Sequence, residues 1–397
     1  MADDTFPWRR TCPFAPPEQY KDLPPVSRHE LASGRPAWLV AGYEEVRQVL
    51  SDPHISSDRT RPDFPVVFPA AQRALGKARV KPSYGGMDRP EHTMHRQFVA
   101  GEFTVRRVET MRPRVRAIVT EHVEAMLAGP KPADLVEALA LPVPSLVICE
   151  LLGVPYEDRD DFQRRTRLIL SRGSDPREST EAFVGLMTYL DGLVTAKRER
   201  PDGEDLLGRL IAKYVEAGVY DREQMVSLAS GLLIAGHETT ANMIALGTVA
   251  LLEHPDQLAE LRRDPALTRN AVDELLRYFS VADLVTARVA TGDIEVGGVR
   301  IRAGESVLSL GAAADRDPAA FDRPDELDVR RDAAHHVAFG YGIHQCLGQN
   351  LARMELEIVF DTLFGRVPDL RLASALEELP FKTDGIMFGL HALPVTW

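Results

Sequence analysis

The chain has 397 residues, of which 44% are hydrophobic, so it can bury a large core and is long enough for two domains. Its 47 basic and 59 acidic residues give a formal net charge of −12, which argues against nucleic acid as a partner. Its three widely separated cysteines offer no disulfide framework, as is typical of a reducing compartment. Because the N-terminus has no apolar stretch and no apolar run of about 18 residues follows, we expect neither a signal peptide nor a membrane anchor.

The N-terminal part of the chain shows little regular pattern. Residues 1–35 are rich in proline and charge and predict an irregular segment, followed by a strand at 37–40 and a helix at 43–50. Residues 53–86 contain five prolines and little periodicity. A loop of this length in a compact domain is usually functional, but the alternative is a surface loop with apolar anchors.

Helical periodicity dominates the middle of the chain. Apolar residues recur at helical spacing over residues 91–100, 104–127, 142–152, 157–171, 179–200, 204–216, 222–254 and 267–279. After residue 285 the period changes to two, and residues 293–302 predict a hairpin with a Gly-Gly turn. The pattern therefore predicts a mainly α fold with a minor β region.

The segment 222–254 predicts a helix about 50 Å long that is apolar on all sides and hence buried. In its middle, Glu238, Thr239 and Thr240 are costly to bury unless they are paired or used in chemistry. A threonine hydroxyl that donates to the carbonyl four residues earlier can loosen a helix at that point. The alternative is that the threonines only satisfy the backbone and that Glu238 pairs with a distant arginine.

The stretch 339–348 holds Cys346 and directly precedes an amphipathic helix that begins at residue 349. Gly340 and Gly342 allow a tight bend before the cysteine, and Gly348 lets the helix begin close behind it. A cysteine at a helix N-terminus lies among free N–H groups, which favour the thiolate. Such a thiolate suits nucleophilic catalysis or metal ligation, and the alternative is a buried cysteine in a glycine-containing turn.

Several motifs resemble those of the cytochrome P450 family. The pattern F-x-x-G-x-H-x-C-x-G resembles the family's haem-ligand loop and is formed by Phe339, Gly342, His344, Cys346 and Gly348. The middle of the long helix resembles the family's oxygen-activation motif, at Ala235, Gly236, Glu238 and Thr239. The family's E-x-x-R pair is matched by Glu274 and Arg277. For the usual third member of that pair the sequence offers, without choosing between them, Arg323, Arg330 and His335.

The resemblance implies haem b as the cofactor, with Cys346 as the axial thiolate ligand of its iron. It implies that Ala235 and Gly236 let the long helix pass close to the flat cofactor. Thr239 is then a hydrogen-bond partner at the oxygen-binding position, and Glu238 relays protons to it. Haem carries two carboxylates that need cations or donors, and the matching positions are His92, Arg96, Arg288 and His344.

The resemblance also implies a single cytochrome P450 domain over residues 1–397, with a long central helix over the haem and small antiparallel sheets. The helix-rich portions are expected at about 87–280 and 340–365, and the sheet-rich portions at about 35–60, 285–335 and 370–397. The cytochromes P450 that this chain resembles are soluble, bacterial and of the actinomycete type. We therefore expect a cytoplasmic monomer.

The implied reaction inserts one oxygen atom of O2 into a hydrophobic small molecule, such as a secondary metabolite or a xenobiotic, by hydroxylation or epoxidation. Electrons are expected from NAD(P)H through a ferredoxin reductase and a ferredoxin, which docks near Arg106, Arg107 and Arg353. The substrate pocket is expected to draw on residues 60–85, 167–190, 232–238, 281–286 and 386–388. Within the first of these, the wall residues proposed are Phe64, Val66, Val67, Phe68, Leu75 and Tyr84, with Arg73 and Arg79 available to meet a substrate carboxylate.

Two other functions stay open on the sequence. One is a haem-thiolate enzyme that uses peroxide, or that performs a coupling or rearrangement without net oxygen insertion. Glu238 and Thr239 argue against it, because a peroxide user has less need of a proton relay. The other is a non-enzymatic haem sensor or carrier, which has no need of Ala235, Gly236 and Thr239 opposite the thiolate.

Overall fold

The structure is a computed structural model, and it describes residues 6–67, 83–170, 175–200, 204–215, 218, 220–283, 286–382 and 387–397. Helices form most of this part of the chain, and the strands form three small sheets. The predicted mainly α fold with a minor β region is therefore confirmed.

The helices and strands are numbered here in chain order within the described residues. The first helices are α1 (Tyr43–Ser51), α2 (Glu91–Ala100), α3 (Val105–Glu109), α4 (Arg112–Ala128), α5 (Pro142–Leu152), α6 (Arg159–Leu170) and α7 (Pro176–Glu199). The later helices are α8 (Leu206–Leu210), α9 (Arg222–Glu253), α10 (Pro255–Arg263), α11 (Thr268–Phe279), α12 (Gly311–Ala314) and α13 (Gln349–Arg366). The strands are β1 (Val26–Glu30), β2 (Pro36–Val40), β3 (Ile55–Ser56), β4 (Ala133–Asp134), β5 (Ala287–Ala290), β6 (Ile294–Val296), β7 (Val299–Ile301), β8 (Ser306–Ser309), β9 (Arg371–Leu372) and β10 (Pro394–Thr396).

The largest sheet has five strands in the order β1-β2-β8-β5-β3. Strands β2 and β8 are parallel, whereas the other neighbours in this sheet are antiparallel. Strands β4, β10 and β9 form a second, antiparallel sheet, and β6 and β7 form the hairpin predicted over residues 293–302. The turn of this hairpin is made by Gly297 and Gly298, which have φ angles of 56° and 74°. Glycine adopts such positive φ angles without strain.

The structure corrects three expectations about these elements. The irregular segment expected over residues 1–35 contains β1, which pairs antiparallel with β2. The helix expected over 104–127 is divided into α3 and α4, because Thr104 caps α3 and Pro113 fits the start of a new helix. Pro255 ends α9 as expected, but it also begins α10, since proline is well suited to the first position of a helix.

Helix α9 is the long buried helix that the sequence predicts. Its 32 residues span about 48 Å at 1.5 Å per residue. A capping box begins it: the N–H of Gln224 donates to Oδ1 of Asp221 at 2.7 Å, and the N–H of Asp221 donates to Oε1 of Gln224 at 2.9 Å. It packs against α5, α7, α11 and α13 within the largest hydrophobic core.

Two smaller hydrophobic clusters lie around the five-stranded sheet, one with Leu39 and Leu308 and the other with Val40 and Val307. Consecutive residues of one strand, such as Leu39 and Val40, belong to different clusters because the pleat turns successive side chains to opposite faces of the sheet. Within the described ranges, no helix has both the length and the hydropathy needed to cross a membrane.

Candidate active site

The loop that carries Cys346 is shaped by glycine. The backbone N–H of Cys346 donates to the carbonyl oxygen of Phe339 at 2.8 Å, which closes the loop. Gly342 has a φ of 70°, and a Cβ at this position would overlap the carbonyl oxygen of Leu50 in α1. Glycine is therefore the residue that fits here without displacing α1. Helix α13 then begins at Gln349, the predicted position.

Burial raises the pKa of the Cys346 thiol. The N–H groups of Gly348 and Gln349, which donate to the sulfur, act in the opposite direction together with Arg96 and Arg353, but they do not offset burial. The N–H groups at the helix start thus favour the thiolate as expected, but burial has the larger effect on the pKa. A metal ion bound to the sulfur would stabilise the thiolate against burial, because a coordinating thiol is deprotonated outright.

Three of the side chains predicted to hold the cofactor meet beside this loop. The imidazole rings of His92 on α2 and His344 lie 4.1 Å apart, from centroid to centroid. Arg96, one turn further along α2, donates from Nη2 to the carbonyl oxygen of Gln345 at 2.6 Å. Their i, i+4 spacing puts His92 and Arg96 on one face of α2.

The fourth predicted side chain, Arg288 on β5, is close enough to this group to act on His344. Burial first, and then the charge of Arg288, lowers the pKa of His344 to about 3. Burial and then Arg96 lower the pKa of His92 to about 4, so both imidazoles are neutral at pH 7. Burial and then Arg59 lower the pKa of Arg288 to about 10. The sequence pattern does not reveal Arg59. Its position soon after β3, which pairs with β5, is the one signal that points to it.

These residues fit a flat cofactor with two carboxylates. Both ring nitrogens of His92, Nη1 of Arg96 and Nδ1 of His344 are buried and have no hydrogen-bond partner among the described residues. Buried polar atoms normally have partners. Carboxylates are the matching acceptors for guanidinium and imidazole groups, and they would raise the pKa values that burial has lowered. Haem b, with its two propionates beside a cysteine ligand, meets these requirements.

Helix α9 has an open face in its middle. Ala235 is exposed there, although most of the helix is buried. One turn later, Oγ1 of Thr239 donates to the carbonyl oxygen of Ala235 at 2.7 Å, the bond that its spacing predicts. Gly236 lies on another side of the helix, where a Cβ would be 3.2 Å from Ile148 of α5. Of this small pair, Ala235 therefore faces the open space, and Gly236 allows two helices to pack closely.

Glu238 is buried and has a partner that the sequence does not suggest. Its carboxylate forms an ion pair with the ammonium of Lys382, which comes from the C-terminal segment. The alternative expected from the sequence is a distant arginine, so the kind of contact is foreseen but the residue is not. Nothing in the local pattern around residue 382 indicates that it returns to α9.

The E-x-x-R pair is completely buried, and its third member is Arg331. Arg277 donates to Glu274 from Nε at 2.7 Å and from Nη2 at 2.9 Å, and Arg331 donates from Nε to Glu274 at 3.1 Å. The three candidates from the sequence are wrong. They bind elsewhere: Arg323 to Glu326, Arg330 to Glu260, and His335 in a stack on Phe321.

The predicted substrate walls fall only partly within the described residues. Phe64 and Val67 pack in the core cluster around Leu39, so they anchor their loop. Ser83, near the end of that loop, reaches α9, where a Cβ on Gly231 would lie 3.3 Å from its Oγ. Outside the described residues lie Phe68, Arg73, Leu75, Arg79 and Ile386.

The three arginines predicted to receive a ferredoxin differ in their surroundings. Helix α3 contacts α13, the helix that directly follows the Cys346 loop. Arg106 of α3 is exposed, whereas Arg107 pairs with Glu102 at 3.4 Å. Arg353 of α13 donates to Asp273 at 2.6 Å, which neutralises its charge locally.

Comparison with known proteins identifies the family of the chain. The family profile described as Cytochrome P450 matches residues 168–367. The pentalenic acid synthase of Streptomyces avermitilis is 50% identical over 395 residues, which cover 99% of this chain and 97% of that protein. The vitamin D3 dihydroxylase of Streptomyces griseolus is 46% identical over 396 residues, which cover 99% of this chain and 96% of that one.

The fold is shared as well. The crystal structure of cytochrome P450 MoxA from Nonomuraea recticatena superposes with a TM-score of 0.93 at 52% identity, covering 100% of this chain and 99% of that chain. Relatives named as synthases, dihydroxylases and monooxygenases favour an enzyme over the haem sensor or carrier. The chain belongs to the cytochrome P450 family and is a haem b-dependent monooxygenase of the bacterial, actinomycete type.

Proposed function

We propose that this monooxygenase hydroxylates or epoxidises a hydrophobic small molecule, with haem b bound through Cys346 and oriented by His92, Arg96, Arg288 and His344. The observation that carries the proposal is the set of unpartnered, buried donor atoms on three of these residues, next to the cysteine loop. Arg59, which lowers the pKa of Arg288, is added as a third cation beside Arg96 and Arg288.

When bound, haem supplies the redox chemistry: O2, two electrons and two protons convert the substrate R–H and yield R–OH and water. The chain contributes the surroundings. Cys346 would hold the haem iron through its sulfur and donate electron density to it. Thr239 places its hydroxyl on the open face of α9. Its one hydroxyl hydrogen is donated to the Ala235 carbonyl, so its oxygen is left to accept a hydrogen bond on that face. Glu238, the residue directly before Thr239, is the group through which protons reach Thr239.

The substrate class is proposed from the relatives' names. One relative is named for making pentalenic acid and another for dihydroxylating vitamin D3, so a hydrophobic molecule of moderate to large size is the class these names support. Screening secondary metabolites and xenobiotics of this class for a substrate-induced change in the haem absorption spectrum tests it. Binding confined to small polar compounds would contradict the proposal.

Thr239→Ala tests the oxygen-activating site. We expect the reduced, carbon monoxide-bound spectrum to stay intact and the product formed per NAD(P)H consumed to fall by about tenfold or more, because the variant lacks a hydroxyl of the proton path and general acid–base catalysis contributes ~10²–10⁴ in rate. Thr248→Ala is the matched control, since Thr248 donates to the Ile244 carbonyl at 2.8 Å in the same helix but in the core. Equal product yield in Thr239→Ala and wild type would refute the assignment.

The electron source is proposed to be NAD(P)H through a ferredoxin reductase and a ferredoxin that docks on α3. Arg106 is exposed there, so Arg106→Glu is expected to raise the ferredoxin KM, more at low than at high salt, and to leave carbon monoxide binding unchanged. Arg177→Glu on α7, which packs on α6 and α9, is the control. Full turnover with peroxide and none with redox partners would favour the peroxide-using alternative. A cytoplasmic location remains part of this proposal, supported by three cysteines that form no disulfide. The proposed oligomeric state is a monomer.

A further inference from the structure

A lysine from the C-terminal segment reaches the acid of the central helix. The ammonium of Lys382 forms an ion pair with Glu238 and donates to Oδ1 of Asn242 at 3.0 Å. The Lys382 and Glu238 side chains are only 16% and 10% exposed. A buried charge that loses its partner is strongly destabilised. The contact therefore holds the carboxylate in one place.

The contact depends on a close approach of two segments far apart in the chain. The N–H of Lys382 donates to the carbonyl oxygen of Gly389 at 2.8 Å, and Phe381 pairs with Leu390 in an antiparallel bridge. A Cβ at Gly389 would overlap the Asn242 side chain. Glycine at this position thus lets the C-terminal segment lie directly on α9, at the level of Glu238.

The geometry of α9 sets what Lys382 does to Glu238. Glu238 and Asn242 are one turn apart and share the side that Lys382 covers. Thr239 shares a different side with Ala235, rotated by about 100° around the helix axis. Lys382 therefore holds the Glu238 carboxylate on the side of α9 next to the open face, while Thr239 lies on the open face itself.

We propose that Lys382 is a positioning residue for proton delivery, which sets the position from which Glu238 passes a proton toward Thr239. The inference rests on the proposed function, in which Glu238 is the relay. In this step the Glu238 carboxylate takes up one proton from solvent and passes one proton toward the site, so it ends in the form in which it began and Lys382 transfers none. Lys382 acts through Glu238 and touches neither substrate nor cofactor.

Lys382→Met tests the proposal, because it removes the ammonium and keeps an unbranched stem. We expect the product formed per NAD(P)H to fall several-fold and the solvent deuterium isotope effect on turnover to change, with the substrate KM and the carbon monoxide spectrum unchanged. Lys382→Arg, which keeps the charge, is expected to restore most of the coupling. Lys382→Gln, which still donates to Asn242, serves if the methionine variant does not take up haem.

The matched control is Lys197→Met. Lys197 forms an equally buried ion pair with Asp205, at 10% and 11% exposure, between α7 and α8. A purely structural role predicts the same loss of stability in both lysine variants and no change in coupling in either. That result, or failure of Lys382→Arg to restore coupling, would overturn the proposal.

A double-variant cycle separates this inference from the proposed function. If Lys382 acts through Glu238, Lys382→Met adds nothing to the effect of Glu238→Gln on coupling. Additive effects would show that Lys382 acts by another route. If Lys382→Met is without effect while Thr239→Ala still uncouples turnover, the positioning role fails and the proposed function stands. If neither Thr239→Ala nor Glu238→Gln changes coupling, the proposed function itself fails.

Discussion

The guanidinium of Arg277 illustrates how a single buried charge is accommodated in this chain. It is fully buried, makes two hydrogen bonds to Glu274, and donates to the carbonyl oxygens of Asp315, Pro324 and Glu326 at 2.7, 2.8 and 3.3 Å. Each of its donors therefore replaces the water that it loses on burial. The same bonds fasten the irregular segment after α12 to helix α11.

Arg331→Ala is expected to destabilise the folded chain by about 1.5–3 kcal/mol, since a buried hydrogen bond to a charged group contributes about that much. Its side chain is 10% exposed and reaches the same carboxylate as Arg277. The neighbouring Arg330→Ala is the control. Its exposed pair with Glu260 should contribute less than ~1 kcal/mol. Chemical denaturation of both variants measures the difference, and equal midpoints would argue against Arg331 as the third member of the E-x-x-R group.

At the scale of elements, the cysteine loop combines two glycines that differ in their surroundings. Gly340 and Gly342 both have a φ of 70°, a conformation that costs other residues about 1–2 kcal/mol. A Cβ at Gly340 would meet nothing within 4 Å, whereas a Cβ at Gly342 would overlap the backbone of α1. The loop is thus constrained at Gly342 by its own backbone and by a neighbouring helix.

Comparing Gly342→Ala with Gly340→Ala separates these two constraints. Gly340→Ala should cost about 1 kcal/mol of stability and retain haem, because only backbone strain is added. Gly342→Ala should be destabilised much more, since the loop or α1 must move and Cys346 moves with the loop. The ratio of Soret to protein absorbance after purification measures haem retention. Equal retention in both variants would show that the contact with α1 does not position the loop.

The elements that the sequence predicts well are those determined by local pattern. Helices α2 and α5 have the bounds that periodicity predicts, and the hairpin turn follows from two adjacent glycines. The site residues that the sequence does not reveal are Arg59, Arg331 and Lys382, which are brought in by tertiary packing. No spacing rule connects them with their partners, and three arginines and a histidine near residue 330 look alike until the chain folds.

At the scale of the whole molecule, the N-terminal segment is fastened to the end of α11, the helix of the E-x-x-R pair, and to residues that follow it. Arg10 donates to the carbonyl oxygen of Phe279 at 3.0 Å and lies over the ring of Phe388, 4.3 Å from its centroid. Tyr20 donates to Asp283 at 2.7 Å. Burial raises the pKa of Asp283, with Arg10 acting in the opposite direction. The segment is therefore part of the core around residues 279–283.

Arg10→Met is expected to lower the stability of the whole chain by about 2–4 kcal/mol, because it removes both a charged hydrogen bond and a cation–π interaction. Asp283 is also left without its nearby cation. The adjacent Arg9 is exposed, so Arg9→Met is the control and should stay within about 0.5 kcal/mol of wild type. Urea denaturation followed by tryptophan fluorescence compares the two, and a similar midpoint for both would mean that the N-terminal segment contributes little.

The packing of Arg10 on Phe388 has a consequence for how the protein is made. These residues come from opposite ends of the chain, and β2 must likewise wait for β8 to be its parallel neighbour. Translation proceeds at only ~5–20 residues per second, so the first segment leaves the ribosome many seconds before its partners exist. The nascent chain must hold apolar and charged groups in solution for that time, and expression yield should respond to chaperone supply and to lower growth temperature.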